Sequence, residues 1–370
     1  MILWLILIVI SYAILIGSFT IGSIKMNEFS AKKMNPKTTF SVVIPFRNEA
    51  ENLPLLLKSI EQIEYPNSQV EFLFVDDHST DNSVTMIRNY CAKIKMSIRI
   101  IENKRTSNSP KKDAITTAIS IAKHNWILTS DADCYFSKKW LESMDLFIQK
   151  TQPTMIVAPV NYEANSSFLE QFQLLDFMSL QGATIGSFGI ELPFLCNGAN
   201  LGYKKETFLK LNGFEGNDFI ASGDDLFLFE KCIKADKKNV HYLKSKTAVV
   251  TTFPVKSWGN LLNQRIRWAA KTGNSSSVNL KSIGVFVLLT NFSIVYALCY
   301  ESLAVFSVIF ILKMSIDLLL LWPTIIFFNQ KKSFFKWFVP ASLLYPFFSM
   351  FVVFSSLFYK YNWKGRRFKK

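Results

Sequence analysis

Short β-rich apolar runs alternate with segments of helical periodicity through the first part of the chain. Buried strands are predicted where four such runs occur, at residues 40–46, 70–75, 98–101 and 126–128. Helices are predicted between them, at residues 49–63, at 114–124, and from a cap at Ser79 or Asp81 through Tyr90. Strands that alternate with helices favour a mostly parallel, doubly wound sheet, so residues 38–275 are predicted to form one α/β domain.

Long apolar segments lie on both sides of this predicted domain. Residues 1–24 are almost uncharged and long enough to cross a bilayer, and they lack the basic start and cleavage site of a signal peptide. They predict a retained transmembrane anchor. Residues 283–358 form a second apolar block with charged interruptions, which predicts two or three membrane helices.

The basic residues cluster at the ends of these apolar segments. The net charge is +14, and anionic membrane lipids rather than nucleic acid are its predicted partner. By the positive-inside rule, the lysines that follow the anchor (Lys25, Lys32, Lys33 and Lys37) predict a cytoplasmic α/β domain in an integral protein of the plasma membrane. The basic tail at 359–370 is predicted to be cytoplasmic too. An even number of spans must then follow the domain, and Ile283–Tyr300 is the candidate for an interfacial or re-entrant segment.

Cysteine and histidine usage limits the kinds of metal site that the chain can form. Its five cysteines are odd in number and include no CxxC pair, which argues against a disulfide framework and a structural zinc site. Its three histidines are scattered along the sequence. Any metal ion is therefore predicted to bind through oxygen ligands.

Three acidic clusters stand out in this basic chain. Asp131-Ala132-Asp133 follows the fourth predicted strand, Asp76-Asp77 follows the second, and Asp224-Asp225 comes later. Two carboxylates two residues apart in an extended segment point the same way and can share one ion that also binds phosphate. Ligands bind beyond the carboxyl ends of the strands in such sheets, so the first two clusters are predicted to lie close together.

Seven motifs in order resemble the family 2 glycosyltransferases with a GT-A fold. They are Val43–Glu49, Val75–Asp81, Lys111–Ile115, Ser130–Asp133, Asn197–Asn200, Gly223–Asp225 and Gln264–Trp268. The chain looks most like the membrane-embedded members, such as cellulose, hyaluronan and poly-N-acetylglucosamine synthases and ceramide glucosyltransferase. It differs in having Ser109-Pro110 where the family usually has glycine, and Gly-Asp-Asp where most members have Glu-Asp.

The resemblance implies a role for each matching residue. Nucleotide and donor binding would fall to Pro45, Arg47, Glu49, Asp76, Asp77, Lys111 and Asp131. Asp133 would hold Mg²⁺ or Mn²⁺ at the diphosphate. Asp225 would act as the general base, with Asp224 as its acidic neighbour. The acceptor and diphosphate end would comprise Asn197, Gln264, Arg267 and Trp268.

The implied activity is inverting transfer of a sugar from a nucleotide-sugar donor, of UDP type, to a lipid-linked or glycan acceptor. Cleavage of the anomeric bond builds positive charge on the sugar and negative charge on the diphosphate, which a metal ion and an arginine can neutralise. The few apolar segments leave little material for a polymer channel, which favours single transfer onto a lipid-linked acceptor. A processive polysaccharide synthase and a non-catalytic nucleotide-binding membrane scaffold are the alternatives.

Each of these signals also has a simpler structural explanation. The acids between Asp76 and Asp81 are typical of a turn and a helix cap, and Asp224-Asp225 is typical of a helix N-terminus. Arg267-Trp268 is also typical of a pair at a membrane interface. His78 is predicted to be a turn residue, Lys112 a solvated charge, and Phe168–Leu180 a core or membrane-facing helix.

Overall fold

A computed structural model describes residues 2–30, 34–218, 220–332, 334–358, 361–363 and 366–368. The chain divides into two compact units. We call Glu28–Asn161 with Leu195–Phe253 the sheet unit, and Met1–Asn27, Tyr162–Phe194 and Pro254–Lys370 the helical unit. The α/β domain predicted at 38–275 is thus distributed over both units.

Helices and strands follow the predicted order in the first 130 residues. The helices are α1 Ile2–Lys25, α2 Leu53–Glu61, α3 Ser83–Cys91, α4 Pro110–Ile121, α5 Trp140–Thr151, α6 Phe168–Gly189, α7 Lys205–Lys210, α8 Asp224–Asp236, α9 Trp258–Gly273, α10 Val278–Tyr300, α11 Leu303–Phe327 and α12 Phe334–Phe358. The strands are β1 Phe40–Phe46, β2 Val70–Asp76, β3 Ser97–Glu102, β4 Trp126–Thr129, β5 Tyr135–Phe136, β6 Met155–Val157, β7 Val160–Tyr162, β8 Leu201–Lys204, β9 Val240–Tyr242, β10 Val250–Thr252, β11 Tyr361–Trp363 and β12 Arg366–Phe368.

The sheet unit is built on seven strands in the order β3-β2-β1-β4-β8-β6-β9. The pairs among β3, β2, β1 and β4 are parallel, as is β6 with β9, whereas β8 runs antiparallel to both β4 and β6. The central strands are buried almost throughout, which explains their continuous apolar runs. The predicted mostly parallel α/β sheet is confirmed.

Helices α2 and α4 begin at residues other than those predicted, and α3, which begins at Ser83, has Asn82 rather than Ser79 or Asp81 at its N-cap. Helix α2 begins at Leu53 rather than Glu49, because Asn48 has a left-handed backbone (φ 52°) and the following residues turn before the helix starts. Helix α4 begins at Pro110 rather than Ala114, since proline suits the first helical turn. The second difference brings Lys111 and Lys112 onto the first turn of α4.

Among the residues that the structure describes, four helices of the helical unit are long and apolar enough to cross a membrane. They are Leu3–Lys25, Val278–Tyr300, Leu303–Phe327 and Phe334–Phe358. The helix that contains Ile283–Tyr300 qualifies as well as the others, so its interfacial placement stays a prediction. Of the basic tail, residues 359, 360, 364, 365, 369 and 370 lie outside the described part of the chain.

Helix α6 packs against α1 with glycines at the contact. A Cβ at Gly186 would lie 2.2 Å from the carbonyl oxygen of Phe19, and one at Gly189 would lie 2.0 Å from that of Gly22. Small residues of this kind allow two helix backbones to approach closely. The predicted helix Phe168–Leu180 is confirmed as part of α6, and most of its side chains are buried.

Buried charges of the helical unit are paired. Arg265 of α9 donates to Asp176 of α6 at 2.6 Å, and both residues are buried. Asp317 of α11 accepts hydrogen bonds from Tyr12 and from Lys313, each at 2.6 Å. Ionisable groups among apolar helices are stable only with such partners, so these bonds hold α9 to α6 and α1 to α11.

Candidate active site

One edge of the seven-stranded sheet collects most of the predicted site residues. Asp131 follows the carboxyl end of β4, and Asn197–Asn200 immediately precede β8. Because β8 is antiparallel to β4, with Leu201 opposite Thr129, this turn lies at the same edge as Asp131. The hydroxyl of Ser130 donates to the carbonyl oxygen of Ala199 at 2.8 Å, which fastens the two segments together.

Lys111 joins two of the acidic clusters. Its Nζ lies 2.6 Å from Oδ1 of Asp131 and 3.1 Å from Oδ2 of Asp224. Burial alone would lower the pKa of Lys111, but the negative charges of Asp131, Asp224 and Asp225 raise it above its ordinary value. Lys111 therefore stays charged and holds these acids together.

Asp224 is the buried member of the acidic pair. Burial raises the pKa of its carboxyl group; the charge of Lys111 opposes this effect, and the charges of Asp225 and Asp131 raise the pKa further. Its side chain is about 10% exposed. Asp224 is thus suited to orienting Lys111 rather than to meeting a substrate.

Asp225 is more exposed than Asp224 and has a fixed carboxylate. Its Oδ2 accepts the backbone N–H of Gly198 at 3.1 Å, and its Oδ1 accepts the N–H of Leu226 at 2.7 Å. It lies in the first turn of α8, where the helix dipole favours negative charge. Gly223 precedes the pair with φ 86°, a conformation that strains other residues. Asp225 is therefore the member of the pair whose carboxylate is held by backbone N–H groups.

The predicted nucleotide-binding residues lie at the ends of β1 and β2. Arg47 donates through one guanidinium nitrogen to the carbonyl oxygens of Asp77 and His78, each at 2.6 Å. Asp77 is buried and accepts a hydrogen bond from Asn103 at 2.7 Å, with Arg105 3.6 Å away. These contacts bring the ends of three neighbouring strands into one polar cluster.

Three further residues that were predicted to bind the nucleotide lie in or next to β1 and β2. Pro45 lies in β1 opposite Val75. Glu49 is buried and accepts a hydrogen bond from Asn52 at 2.7 Å. Asp76 accepts the backbone N–H of Ser79 at 2.9 Å, which is the turn contact expected from the simpler explanation. Their part in nucleotide binding stays a prediction.

Asp131 and Asp133 do not lie in the predicted extended segment. The N–H of Cys134 bonds to the carbonyl oxygen of Asp131 at 3.3 Å, so these residues form a turn. The expectation that both carboxylates point the same way because the chain is extended is therefore wrong. The turn arises because β4 ends at Thr129 and the chain reverses before β5.

The residues at this turn still fit a divalent ion that is shared with substrate. Within the described ranges, no three His, Cys, Asp or Glu side chains converge as a metal site. Two partly exposed carboxylates, Asp131 and Asp133, suit Mg²⁺ or Mn²⁺ when phosphates and water supply the other ligands. Burial, followed by the charges of Asp133 and Asp131, raises the pKa of the neighbouring Cys134 thiol.

The predicted acceptor residues have different surroundings. Asn197 caps the turn before β8, with its Oδ1 accepting the N–H of Ala199 at 3.0 Å. Gln264, Arg267 and Trp268 lie on α9 of the helical unit. The guanidinium of Arg265, a residue that the sequence did not single out, lies 4.2 Å from the ring centre of Trp268. Acceptor binding by Gln264, Arg267 and Trp268 stays a prediction.

Lys112 is the clearest error of the sequence analysis. It was predicted to be a solvated charge, yet it is 1% exposed, and its ammonium donates to the carbonyl oxygens of Asn217 and Ile220. Gly198 was also missed as a contact of Asp225. The Asn-Gly dipeptide at 197–198 indicates a turn, but nothing in the sequence indicates which side chain packs against it.

The fold and site together define a class of protein. A solved structure, a mannosyltransferase from Pyrobaculum calidifontis in complex with GDP-Man and Mn²⁺, matches with a TM-score of 0.56 and 16% identity over 92% of this chain and 98% of that one. At this identity the likeness shows the fold alone. The chain has the GT-A fold.

The sequence comparisons supply the family. Residues 41–207 match the family model described as glycosyl transferase family 2. The poly(ribitol-phosphate) beta-N-acetylglucosaminyltransferase TarS of Staphylococcus aureus is 29% identical over 111 residues, which are 30% of this chain and 19% of TarS. The undecaprenyl-phosphate 4-deoxy-4-formamido-L-arabinose transferase of Proteus mirabilis is 39% identical over 99 residues, 25% of this chain and 28% of that protein. The chain thus covers less than a third of either relative, and its matched region belongs to the family 2 glycosyltransferases, as the motifs predicted.

Proposed function

We propose that this protein is an inverting glycosyltransferase that moves one sugar from a nucleotide-sugar donor to a lipid-linked acceptor. The observation that carries the proposal is the contact of Lys111 with both Asp131 and Asp224, at 2.6 and 3.1 Å. It joins the acid predicted to touch the donor to the acids predicted to serve the acceptor. The family match at residues 41–207 supports the same chemistry.

The acids of the site would have different chemical roles. Asp225, fixed by Gly198, would accept the proton of the acceptor hydroxyl as that oxygen attacks the anomeric carbon. The bond from the anomeric carbon to the diphosphate oxygen breaks on the opposite face, which inverts the configuration. Asp133 would hold Mg²⁺ or Mn²⁺, which when bound would neutralise charge on the leaving diphosphate. Asp224 and Lys111 would hold the acids at the donor and acceptor ends in fixed positions relative to each other.

A polyprenyl phosphate is the acceptor class that the observations favour. Four of the described helices are long and apolar enough to cross a membrane, and they belong to the same chain as the region that matches the family 2 model. Two relatives carry such lipids in their names, a dodecaprenyl-phosphate galacturonate synthase of Rhizobium johnstonii and the undecaprenyl-phosphate transferase of Proteus mirabilis. A glycan acceptor, as in the TarS name, is the competing class.

Purified full-length protein in lipid nanodiscs would test this proposal. Labelled UDP-glucose, UDP-N-acetylglucosamine and GDP-mannose are supplied in turn with Mn²⁺ and undecaprenyl phosphate, and products are separated by mass. A lipid that carries one sugar, formed with Mn²⁺ and lost with EDTA, is expected. A ladder of many sugars would favour the processive alternative, and binding of donor with no transfer to lipid or glycan would favour the scaffold.

The sheet unit is proposed to face the cytoplasm, where nucleotide sugars are available. The lysines that follow α1 support this orientation. A cysteine at exposed Lys104, with Cys91 and Cys299 replaced by serine, tests it with a membrane-impermeant maleimide. Labelling should require permeabilised cells. Equal labelling of intact cells would reverse the orientation.

A further inference from the structure

Lys112 is a buried cation bound to backbone carbonyl groups. Its side chain is 1% exposed, and its Nζ donates to the carbonyl oxygens of Asn217 at 2.5 Å and Ile220 at 2.9 Å. The same ammonium lies 4.7 Å from the ring centre of Phe227 on α8. Burying an ammonium is unfavourable unless it finds such partners, so Lys112 of α4 and the backbone at Asn217 and Ile220 hold each other in place.

Ser109 binds the backbone of Ala221, the residue that follows Ile220. It is fully buried at the N-terminal end of α4, and its hydroxyl donates to the carbonyl oxygen of Ala221 at 3.1 Å. Ser109 and Lys112 thus bind the carbonyl groups of Asn217, Ile220 and Ala221. Two residues further along the chain, Gly223 leads into Asp224 and Asp225.

Lys111, the residue before Lys112 on α4, contacts the acidic pair that follows this segment. Lys111 contacts the carboxylates of Asp131 and Asp224, whereas Lys112 contacts the backbone before the acidic pair. One helical turn therefore fixes both the side chain of Asp224 and the main chain that leads to Asp225. We call Ser109, Lys112 and the three residues whose carbonyl groups they bind, Asn217, Ile220 and Ala221, the α4 clamp.

We propose that Lys112 is a positioning residue, which through the α4 clamp sets the position of Asp225 for proton removal from the acceptor. The proposal rests on the glycosyltransferase function proposed above. A methionine would fill the same volume without the cost of burying a charge. The ammonium adds directional bonds that an apolar side chain lacks, as expected where geometry matters more than stability.

The experiment compares three variants of the full-length protein in nanodiscs. Lys112→Met removes both hydrogen bonds at similar volume, Ser109→Ala removes the third, and Lys123→Met is a control at an exposed lysine just after α4. Hydrogen–deuterium exchange is measured over residues 214–226. Transfer kinetics give kcat and the KM for the donor, and the apparent Tm reports global stability.

For Lys112→Met we expect amide exchange in this segment to rise about 10- to 100-fold, the range for losing one or two hydrogen bonds to a charged group. The kcat should fall by about 10- to 100-fold, since a shift of about 1 Å in a reacting group has that effect. Donor KM should change less than about twofold, because Asp131 and Lys111 are untouched. Ser109→Ala should also raise amide exchange and lower kcat, but by smaller factors. Lys123→Met should change neither the exchange nor kcat.

Two results would overturn the proposal. Faster exchange with unchanged kcat would make the clamp structural only, and unchanged exchange would show that Lys112 does not hold the segment. If Lys112→Met fails to fold, Ser109→Ala decides by the same two measurements. Wild-type protein that transfers no sugar would contradict the proposed function instead, while its exchange against Ser109→Ala would still decide whether the clamp exists.

Discussion

The backbone N–H of Gly198 donates to Oδ2 of Asp225 at 3.1 Å, so the turn before β8 orients the carboxylate proposed as the general base. Gly198 owes its position to β8, whose register beside β4 brings this turn to the edge where Asp131 lies. The antiparallel strand therefore has a functional consequence. It brings the N–H of Gly198 to the carboxylate of Asp225, which lies 27 residues later in the first turn of α8.

Replacing Gly198 by alanine should lower the rate of transfer with little effect on donor binding. A Cβ there would lie 3.1 Å from Cβ of Asp225 and 3.2 Å from Oδ2 of Asp224, which is closer than ordinary contact. The acids must shift, so kcat should fall about 10- to 100-fold while donor KM stays within about twofold. Gly284→Ala is the matched control, because a Cβ at Gly284 meets nothing within 4 Å. Equal kinetics for the two variants would contradict this explanation.

Asp225→Asn should abolish most of the transfer while leaving the donor bound. The amide cannot take up the acceptor proton, and loss of general-base catalysis lowers rates by about 10²- to 10⁴-fold. Asp236→Asn, at an exposed position of the same helix α8, should behave as wild type. The measurements are transfer rate and the rise in apparent Tm that saturating donor produces. Full activity of Asp225→Asn would require another base.

Lys111→Met should impair transfer and stability together. Without the ammonium, Asp131 and Asp224 lose the positive charge that both contact. Because the pKa of Lys111 is raised, its contribution is complete below the ordinary lysine pKa of about 10.4 and is lost only as pH rises through the higher folded value. The loss of rate and of Tm should therefore be constant across about pH 6–9, and a defect that disappears at the upper end would contradict this.

Periodicity was sufficient for the parallel half of the sheet and insufficient for the other half. Strands β1 to β4 are four to seven residues long, with apolar runs that the sequence displays openly. Strands β6 and β9 have three residues each, too few for a period to be recognised. Their pairing depends on partners far along the chain.

Site residues could be predicted where they belong to a recognisable sequence motif. The acids at Asp131 and Asp224 could be identified from their motifs, and Lys111 brings them together. Lys112 could not be placed, because a lysine bound to carbonyl groups 105 and 108 residues away looks like a solvated lysine in sequence. Arg265 was overlooked for the same reason. Its partner Asp176 lies 89 residues away, on helix α6.

Breaking the Asp176–Arg265 pair should destabilise the helical unit. Arg265→Leu leaves the buried carboxylate without its 2.6 Å partner, and losing one side of a buried ion pair typically costs about 3–5 kcal/mol. The double variant Asp176→Leu/Arg265→Leu should recover much of the loss, because no charge then remains unpaired. A double-mutant cycle tests this with the apparent Tm values, in nanodiscs, of Arg265→Leu, Asp176→Leu and the double variant. Strictly additive losses would exclude coupling.

Glu71 provides a prediction about pH and the stability of the sheet. It is a buried carboxylate of β2 that accepts hydrogen bonds from Ser41 and from the N–H of Lys123, both at 2.6 Å, and from Arg99 at 2.9 Å. Burial by itself would raise the pKa of Glu71. The hydrogen bonds from Ser41 and Lys123 and the charge of Arg99 outweigh burial, and the pKa is lowered.

A lowered pKa means that the folded state favours the ionised carboxylate. Its contribution to stability is complete above the unfolded glutamate pKa of about 4.3 and disappears as pH falls through the lower folded value. Glu71→Gln should therefore lower the apparent Tm at neutral pH, and the difference from wild type should narrow steadily below about pH 4.3. Glu64→Gln, at an exposed position, should show no such difference. If the deficit of Glu71→Gln were the same at pH 4 as at about pH 7, the stabilisation would come from packing rather than from charge, because packing does not titrate.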